Sequence, residues 1–499
     1  MKKFLSLLTL LSCIAQYGIA QSRQSIENVH TVYLRSTGPI KSQEEVKGYY
    51  TFYQSDKVDK KTNEYTLQIM DENLNKVKDV KFLDSKKVTL EESAYGGNSL
   101  AFKFLNENES MYQVKVLGVD GKEKFVYTHM VDDNTLGMIG AIKKYTPMEF
   151  TRLFAVEDKG FVSIYPVYKG TKANTEIKFY SSRNKSEWMH LPSDVRTGGA
   201  SYLGCTDKLA LFVVAKLAGR GMESWLLGLN IENGEKAFEI RSDLDQYMLA
   251  PMNVVKVKGT DNFLIMGAYF NKKDTDAGAR NLGVGMWLVD EKGKIINTKY
   301  NSWETEISKV LNVDAKGKVN DLGHVFFHDI VETANGEYFA IGEGFKRKSI
   351  AFGSTMSNMV VTNMLLLRFD QKFDVKAATI YEKNSNTLEM PSIILMPALQ
   401  GGMGGSMSAF YGFDYAFTQM DKSRNSFSIG YTDYVKVEGY KGLTFNSISY
   451  NNGNITTDKI NLKTESGNMR IFPAKPGSLM IMEYFKKDKK IDMRLEKLN

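Results

Sequence analysis

The sequence predicts an all-β chain assembled from repeated four-stranded antiparallel sheets. Three observations carry the prediction. A turn rich in Gly, Asn or Asp leads into an apolar run eight times over, a strand of period two follows the run, and a further tight turn opens a short fourth strand.

The turn and run are clearest where Thr333-Ala-Asn-Gly-Glu337 leads into Tyr338-Phe-Ala-Ile-Gly342. Lys258-Gly-Thr-Asp-Asn262 before Phe263-Leu-Ile-Met-Gly267 and Asp421-Lys-Ser-Arg-Asn425 before Ser426-Phe-Ser-Ile-Gly430 repeat it. Ala474-Lys-Pro-Gly-Ser478 before Leu479-Met-Ile-Met482 keeps the turn and run but lacks the closing glycine. Earlier copies lie before Leu100 to Phe104, Phe161 to Val167, Leu209 to Val214 and, most weakly, Tyr49 to Tyr53. Continuous apolar runs suit strands covered on both faces. Alternation, as at Tyr112, Val114 and Val116 or at Ile491, Met493 and Leu495, suits a strand with one buried face. The turns that follow, among them Val119-Asp-Gly-Lys122, Ile231-Glu-Asn-Gly-Glu235, Asp290-Glu-Lys-Gly293 and Asn451-Asn-Gly453, carry the residues that tolerate positive φ.

A repeating four-stranded meander is the unit from which radial sheet arrays are built. On these residues the chain resembles the β-propeller superfamily in its broad sense, secreted propellers with degenerate repeats. The resemblance implies a β-propeller of about eight four-stranded antiparallel blades, with seven as the alternative. No Trp-Asp series, kelch glycine doublet or sialidase-type Asp box accompanies it, so no functional residue is carried over from a family.

At 499 residues, 42% of them apolar, the chain has ample material for one large core, and no Pro-, Ser- or Gly-rich linker divides it. Residues 21–499 therefore read as a single propeller domain. Residues 1–20 read as a signal peptide: Lys2-Lys3, the apolar stretch Phe4 to Leu11, and Gly18-Ile-Ala20 before Gln21. Export to the periplasm, the cell surface or the medium is expected. A loose lipobox at Leu10-Leu-Ser-Cys13 makes an outer-membrane lipoprotein anchored at Cys13 the minor alternative. Cleavage after Ala20 leaves Cys205 as the sole cysteine, read as an inert thiol on an apolar strand. It also removes Lys2 and Lys3, lowering the net charge from +7 to +5, a weak field that with export argues against nucleic acid as a partner. The basic run Lys486-Lys-Asp-Lys-Lys490 reads as a solvated hairpin tip.

Chemistry is sparse. His324 and His328, four apart on a strand, would face one side about 13 Å from each other, too far to share a metal, and His30, His129 and His190 stand isolated. No metal site and no cofactor are expected. Met390, Met396, Met403 and Met407 surround Gly401-Gly-Met-Gly-Gly405, which reads as an ordinary connection between blades, with a partner- or ligand-contacting loop and a thioether site for Cu(I) as the alternatives. Phe410-Tyr-Gly-Phe-Asp-Tyr-Ala-Phe417 reads as the first strand of a blade, with Tyr411, Phe413, Tyr415 and Phe417 on one face. Two short helices are expected, one from the capping box Thr146-Pro-Met-Glu149 and one after Asn301-Ser-Trp-Glu304.

The function expected is an exported cell-envelope binding or scaffold protein, a monomer without catalytic activity, that recognises a protein or glycan through loops on a propeller face. The ligand-contacting candidates are Tyr411, Tyr415, Asp414, Met403 and Met407; no catalytic residue is assigned. Two alternatives stand beside it. One is a polysaccharide-active hydrolase or lyase with carboxylates such as Asp329 and Asp414 converging in the channel, the other a sensor of a small ligand or metal.

Overall fold

The structure, a computed structural model, describes residues 22–42, 45–145, 153–169, 172–192, 198–218, 221–244, 246–272, 281–313, 319, 322–348, 356–391, 407, 412–464, 466 and 468–498. The expected signal peptide with Cys13, the capping box at 146–149, and the candidates Met403 and Tyr411 lie outside the described residues. No helix among the described residues is long and apolar enough to cross a membrane.

The chain is an all-β propeller of eight antiparallel sheets, seven with four strands and one with a fifth. Each predicted apolar run is the second strand of its blade; Phe263–Asn271, for example, is buried along almost its entire length. The alternating strands occupy third place, as at Met111–Gly118, where Tyr112, Val114 and Val116 are buried. In the last blade the chain order differs, because Arg23–Ile26 pairs with Lys490–Lys497 and supplies its fourth strand. By compactness the residues separate into two units, Met1–Ser85 with Thr464–Asn499 and Lys86–Lys463.

The first unit holds the first blade, Thr31–Ser42 to Lys76–Ser85, and the last. Ile26, Val29, Tyr49, Met70 and Phe472 share one apolar cluster with Met480, Met482, Ile491 and Met493. The expected hairpin tip appears between Ser478–Phe485 and Lys490–Lys497. The carbonyl of Lys489 there accepts the N–H of Val29 at 2.7 Å.

The second unit holds the six remaining blades, with successive first strands side by side, as Tyr247–Lys256 lies against His324–Glu332. A feature absent from the sequence pattern recurs on these strands. In five of the six blades the first strand slips register against the second, between Leu90 and Glu92, Tyr202 and Gly204, Pro251 and Asn253, Phe327 and Asp329, and Tyr415 and Phe417. Such a bulge adds one residue, re-aims the side chains around it and strengthens the twist. The last bulge corrects one expectation: Tyr415 pairs with Tyr431 and Phe417 with Gly430, neighbours that point to opposite faces, so Tyr415 and Phe417 do not share a side. Tyr415 packs with the apolar cluster of Ile429 and Tyr431, and Phe417 stacks on Phe445.

The helix that forms among the described residues is Asp133–Tyr145, just before the predicted capping box. Asp132 starts it, accepting the Thr135 N–H at 2.9 Å and its hydroxyl at 2.7 Å. After Trp303 the expected second helix is a single 3-10 turn, Ile307–Lys309.

Ile26 is 5% exposed and its strand joins the two ends of the chain. Ile26→Ala is expected to lower stability by about 2–5 kcal/mol, read as a shifted denaturant midpoint. An unchanged midpoint would show that burial of the Ile26 side chain does not help to hold the last blade.

Candidate functional site

The sixth blade carries a carboxylate in the middle of its apolar second strand, Tyr338–Lys348. Glu343 is fully buried and is met from four directions. His328 Nε2 lies 3.2 Å from Oε2, Lys383 Nζ lies 3.1 Å from Oε1, and the backbone N–H groups of Asp414 and Tyr415 each donate at 3.2 Å. The bulge beside Phe327 accompanies this placement of His328, whose ring stacks on Tyr415 at 4.4 Å and meets the Phe413 ring edge-on at 4.8 Å. Lys383, its side chain wholly buried, also donates to Asp414 Oδ2 at 2.5 Å. Asn386 Nδ2 reaches the other Asp414 oxygen at 3.1 Å.

The two carboxylates titrate in opposite directions. Burial pushes Glu343 up, but the hydrogen bond from His328 and the Lys383 charge outweigh it and hold the group below the ordinary carboxylate range. Burial raises Asp414, and the adjacent Glu343 charge adds to the rise against the pull of Lys383. Each carboxylate is bonded to the one ammonium, and Glu343 accepts four hydrogen bonds, so none of its own lone pairs is left over for solvent.

Lys383 and Asp414 stand at the two ends of the connection between the sixth and seventh blades, residues 382–414. Within it Asn386–Pro391 adds a fifth strand to the sixth blade by pairing with the first half of Met356–Phe369. Met390 and Met407 are buried with Phe345, Met359 and Val361 in a small apolar cluster against Phe413 and Leu388. Gly412 fits closely at the return of the chain: a Cβ there would lie 3.2 Å from the Met407 carbonyl and 2.3 Å from the Leu388 side-chain tip, which would have to shift.

A second buried polar cluster joins the second and third blades. Lys103, fully buried, donates to Ser163 Oγ at 3.0 Å and lies 5.1 Å from the Tyr165 ring centroid and 5.5 Å from that of Tyr112. His129 stacks on Tyr165 at 4.2 Å. Burial, with the Lys178 and Lys103 charges, pushes its pKa down to about 4, although Glu176 stands 3.5 Å away. The histidine that looked isolated in the sequence is thus held neutral inside a cationic and aromatic packing.

The model described as "Family of unknown function (DUF6770)" matches residues 1–499. The chain belongs to that family. No curated protein matches it. Among solved structures, the DUF6770 chain is similar to the WD40 domain of SCAP from fission yeast, at 9% identity and TM-score 0.37 over 95% of this chain and 94% of that one. It is also similar to prolyl oligopeptidase B from Galerina marginata, at 8% identity and TM-score 0.42, and to a post-proline cleaving enzyme from Rickettsia typhi, at 8% identity and TM-score 0.38. It spans 59% and 58% of the lengths of those two enzymes, with 97% and 92% of its own length covered.

Of the residues singled out in the DUF6770 sequence, Asp414 and Tyr415 come together, beside His328. Met407 lies in the adjoining apolar cluster. Asp329 accepts the Ile330 N–H at 2.8 Å, and its charge adds to burial in raising Tyr415. Tyr415 stacks on His328 and bonds Thr418 Oγ1 at 2.8 Å, so it serves packing and not an open aromatic platform. Cys205, its thiol pushed up by burial, sits beside Tyr202 on the fourth blade. Glu343 and Lys383 escaped the sequence reading. Glu343 had a signal, a lone acid inside an apolar strand; Lys383, in a polar stretch, had none. Among the described residues, no group of three or more His, Cys, Asp or Glu is placed to hold a metal ion.

Lys383→Met would leave two carboxylates buried without their cation, and an expected loss of about 3–5 kcal/mol follows. The triple variant E343Q/K383M/D414N, which buries no charge at these positions, should lose less in the same denaturation assay.

His129 binds a proton in the unfolded chain below its ordinary pKa of 6.5 but in the folded chain only near 4. Its contribution is therefore complete above pH 6.5 and is lost as pH falls towards about 4. The loss amounts to about 3 kcal/mol. Denaturation midpoints measured across that window should fall less steeply in His129→Phe than in the parent.

Proposed function

We propose that this DUF6770 protein is an exported cell-envelope binding or scaffold protein that recognises a protein or glycan through loops on a propeller face, without turnover. The observation that carries the reading is the buried Lys383 bridge, which ties both ends of the 382–414 connection to Glu343 of the sixth blade. A recognition loop loses less entropy on binding when its stems are already fixed. Propellers place their variable chemistry in such connections, on a scaffold that tolerates exchange. The same pairing also supports the non-catalytic part of the reading, because ionisable groups satisfied by one another are not offered to a substrate. The sequence of residues 1–20 supports export, to the periplasm or the cell surface.

One observation favours a second reading, action on a polysaccharide. Neighbouring carboxylates shifted in opposite directions are the arrangement from which acid and base roles are drawn.

The test replaces residues 392–406 with a short Gly/Ser linker, keeping the buried Met407, and compares retention of envelope components with that of the parent. Loss of a retained protein or glycan, with an unchanged thermal midpoint, is the expected outcome. Release of new reducing ends from a polysaccharide panel by the parent, abolished in Asp414→Asn, would replace this reading with the hydrolytic one.

A further inference from the structure

The opposite end of the blade-seven first strand, Tyr415–Met420, borders a cavity of about 560 Å³. It lies between the turn Lys256 to Asp261 of the fifth blade and Arg424 of the seventh. That volume is within the range of small-molecule sites, roughly 300–1,000 Å³. Apart from Val257 the lining is polar, so the ligand it suits is polar too.

Glu332, at the end of the first strand of the sixth blade, holds the two walls together. Its Oε2 accepts the Lys258 backbone N–H at 2.8 Å and a hydrogen bond from Arg424 Nη1, and its Oε1 accepts the Tyr338 hydroxyl at 3.2 Å. Arg424 is fixed further by its carbonyl, which accepts the Ala334 N–H at 2.8 Å. It sits at φ 60°, a left-handed conformation uncommon for a side chain of its size. One nitrogen of its guanidinium is committed to Glu332, and the other donors of the fork remain for a ligand.

The charges around the cavity leave one cation over. Arg424 is matched by Glu332 and Lys256 by Asp207. Asp261, the one acid in the lining, is 3.8 Å from Lys208 of the neighbouring blade. Lys258 has no carboxylate partner among the described residues. The N–H of Gly259, at φ +73° with open space around its Cα, donates to no protein acceptor among them either.

We propose that this cavity binds a small polar ligand bearing a single carboxylate, of the sugar-acid class. Lys258 and the Gly259 N–H hold the carboxylate, while Arg424 meets the hydroxyl groups; the Thr260 hydroxyl is committed to the turn, donating to the Val257 carbonyl at 3.1 Å and accepting the Asn262 N–H at 3.1 Å. The site goes beyond partner recognition through the 382–414 connection, and either can fail without the other.

The probes are galacturonic acid, its neutral methyl ester and propionate, each titrated into the full chain by calorimetry at low salt. Galacturonic acid is expected to bind. The methyl ester and the K258Q variant should each weaken that binding by about tenfold, the worth of one charge-assisted hydrogen bond. The D261N variant, which removes the acid from the lining, should strengthen it. K258Q alters an exposed turn, so its thermal midpoint should match the parent's. Equal binding of acid and ester, unchanged affinity in K258Q, or no binding of galacturonic acid would overturn the proposal. Propionate binding as tightly as galacturonic acid would overturn the sugar-acid class.

Discussion

Every blade here depends on a fourth strand, and one blade obtains it from the far end of the chain. Arg23–Ile26 runs antiparallel to Lys490–Lys497, Leu495 donates its N–H to the Ser22 carbonyl at 2.9 Å, and the Ser25 hydroxyl bonds Asp492. A sheet of three strands would expose the backbone groups of its third, and an open edge is a site for misassembly. The pairing also sets Ile26 and Val29 against Ile491 and Met493, so the same residues that complete the ladder complete the core. Backbone satisfaction and apolar burial are met by a single contact between segments more than 450 residues apart, as the Ser25 to Asp492 separation of 467 records.

Within the larger unit the sheets are held by a recurring irregularity. The first-strand bulges interlock with their neighbours: the side-chain amide of Asn253, at the bulge of the fifth blade, donates to the Phe327 carbonyl at the bulge of the sixth, 2.9 Å away. Gly204 at the bulge of the fourth blade lies so close to Val254 that a Cβ would be 2.4 Å from its methyl group. An ideal pleat leaves no room for this meshing, whereas an extra residue twists the strand and turns a polar group towards the next blade.

The sixth blade spends its two most buried acids on its neighbours. Glu343 receives the backbone of Asp414 and Tyr415 where the seventh blade begins, and Glu332 receives Arg424 where the first strand of that blade ends. The Tyr415–Met420 strand is thus gripped at both ends by carboxylates from the adjacent sheet. Burying a charge is costly unless it is paired and hydrogen-bonded throughout. Both acids meet that condition, and each thereby specifies the docking of one blade on the next more narrowly than apolar contacts would. The two candidate sites occupy these two gripped ends.

The turn-and-run repeat was legible because its causes are local. Positive φ selects Gly, Asn or Asp within a few residues, and burial on both faces selects a continuous apolar strand, so Lys258–Gly267 and Thr333–Gly342 announce themselves. The alternation at Ile491, Met493 and Leu495 predicted the face that is buried for the same reason. The bulges were invisible, since a one-residue slip at Tyr415 depends on what the next strand and the next blade present, and it moved Phe417 to the other face. Lys383 looked like any surface lysine until Glu343 and Asp414 met around it, the latter two joined across 71 positions. The architecture was therefore written in the residues alone, through short-range backbone and burial preferences. The clustering of charge was decided by tertiary packing, because electrostatic energy depends on distances and burial that arise only once the blades have docked.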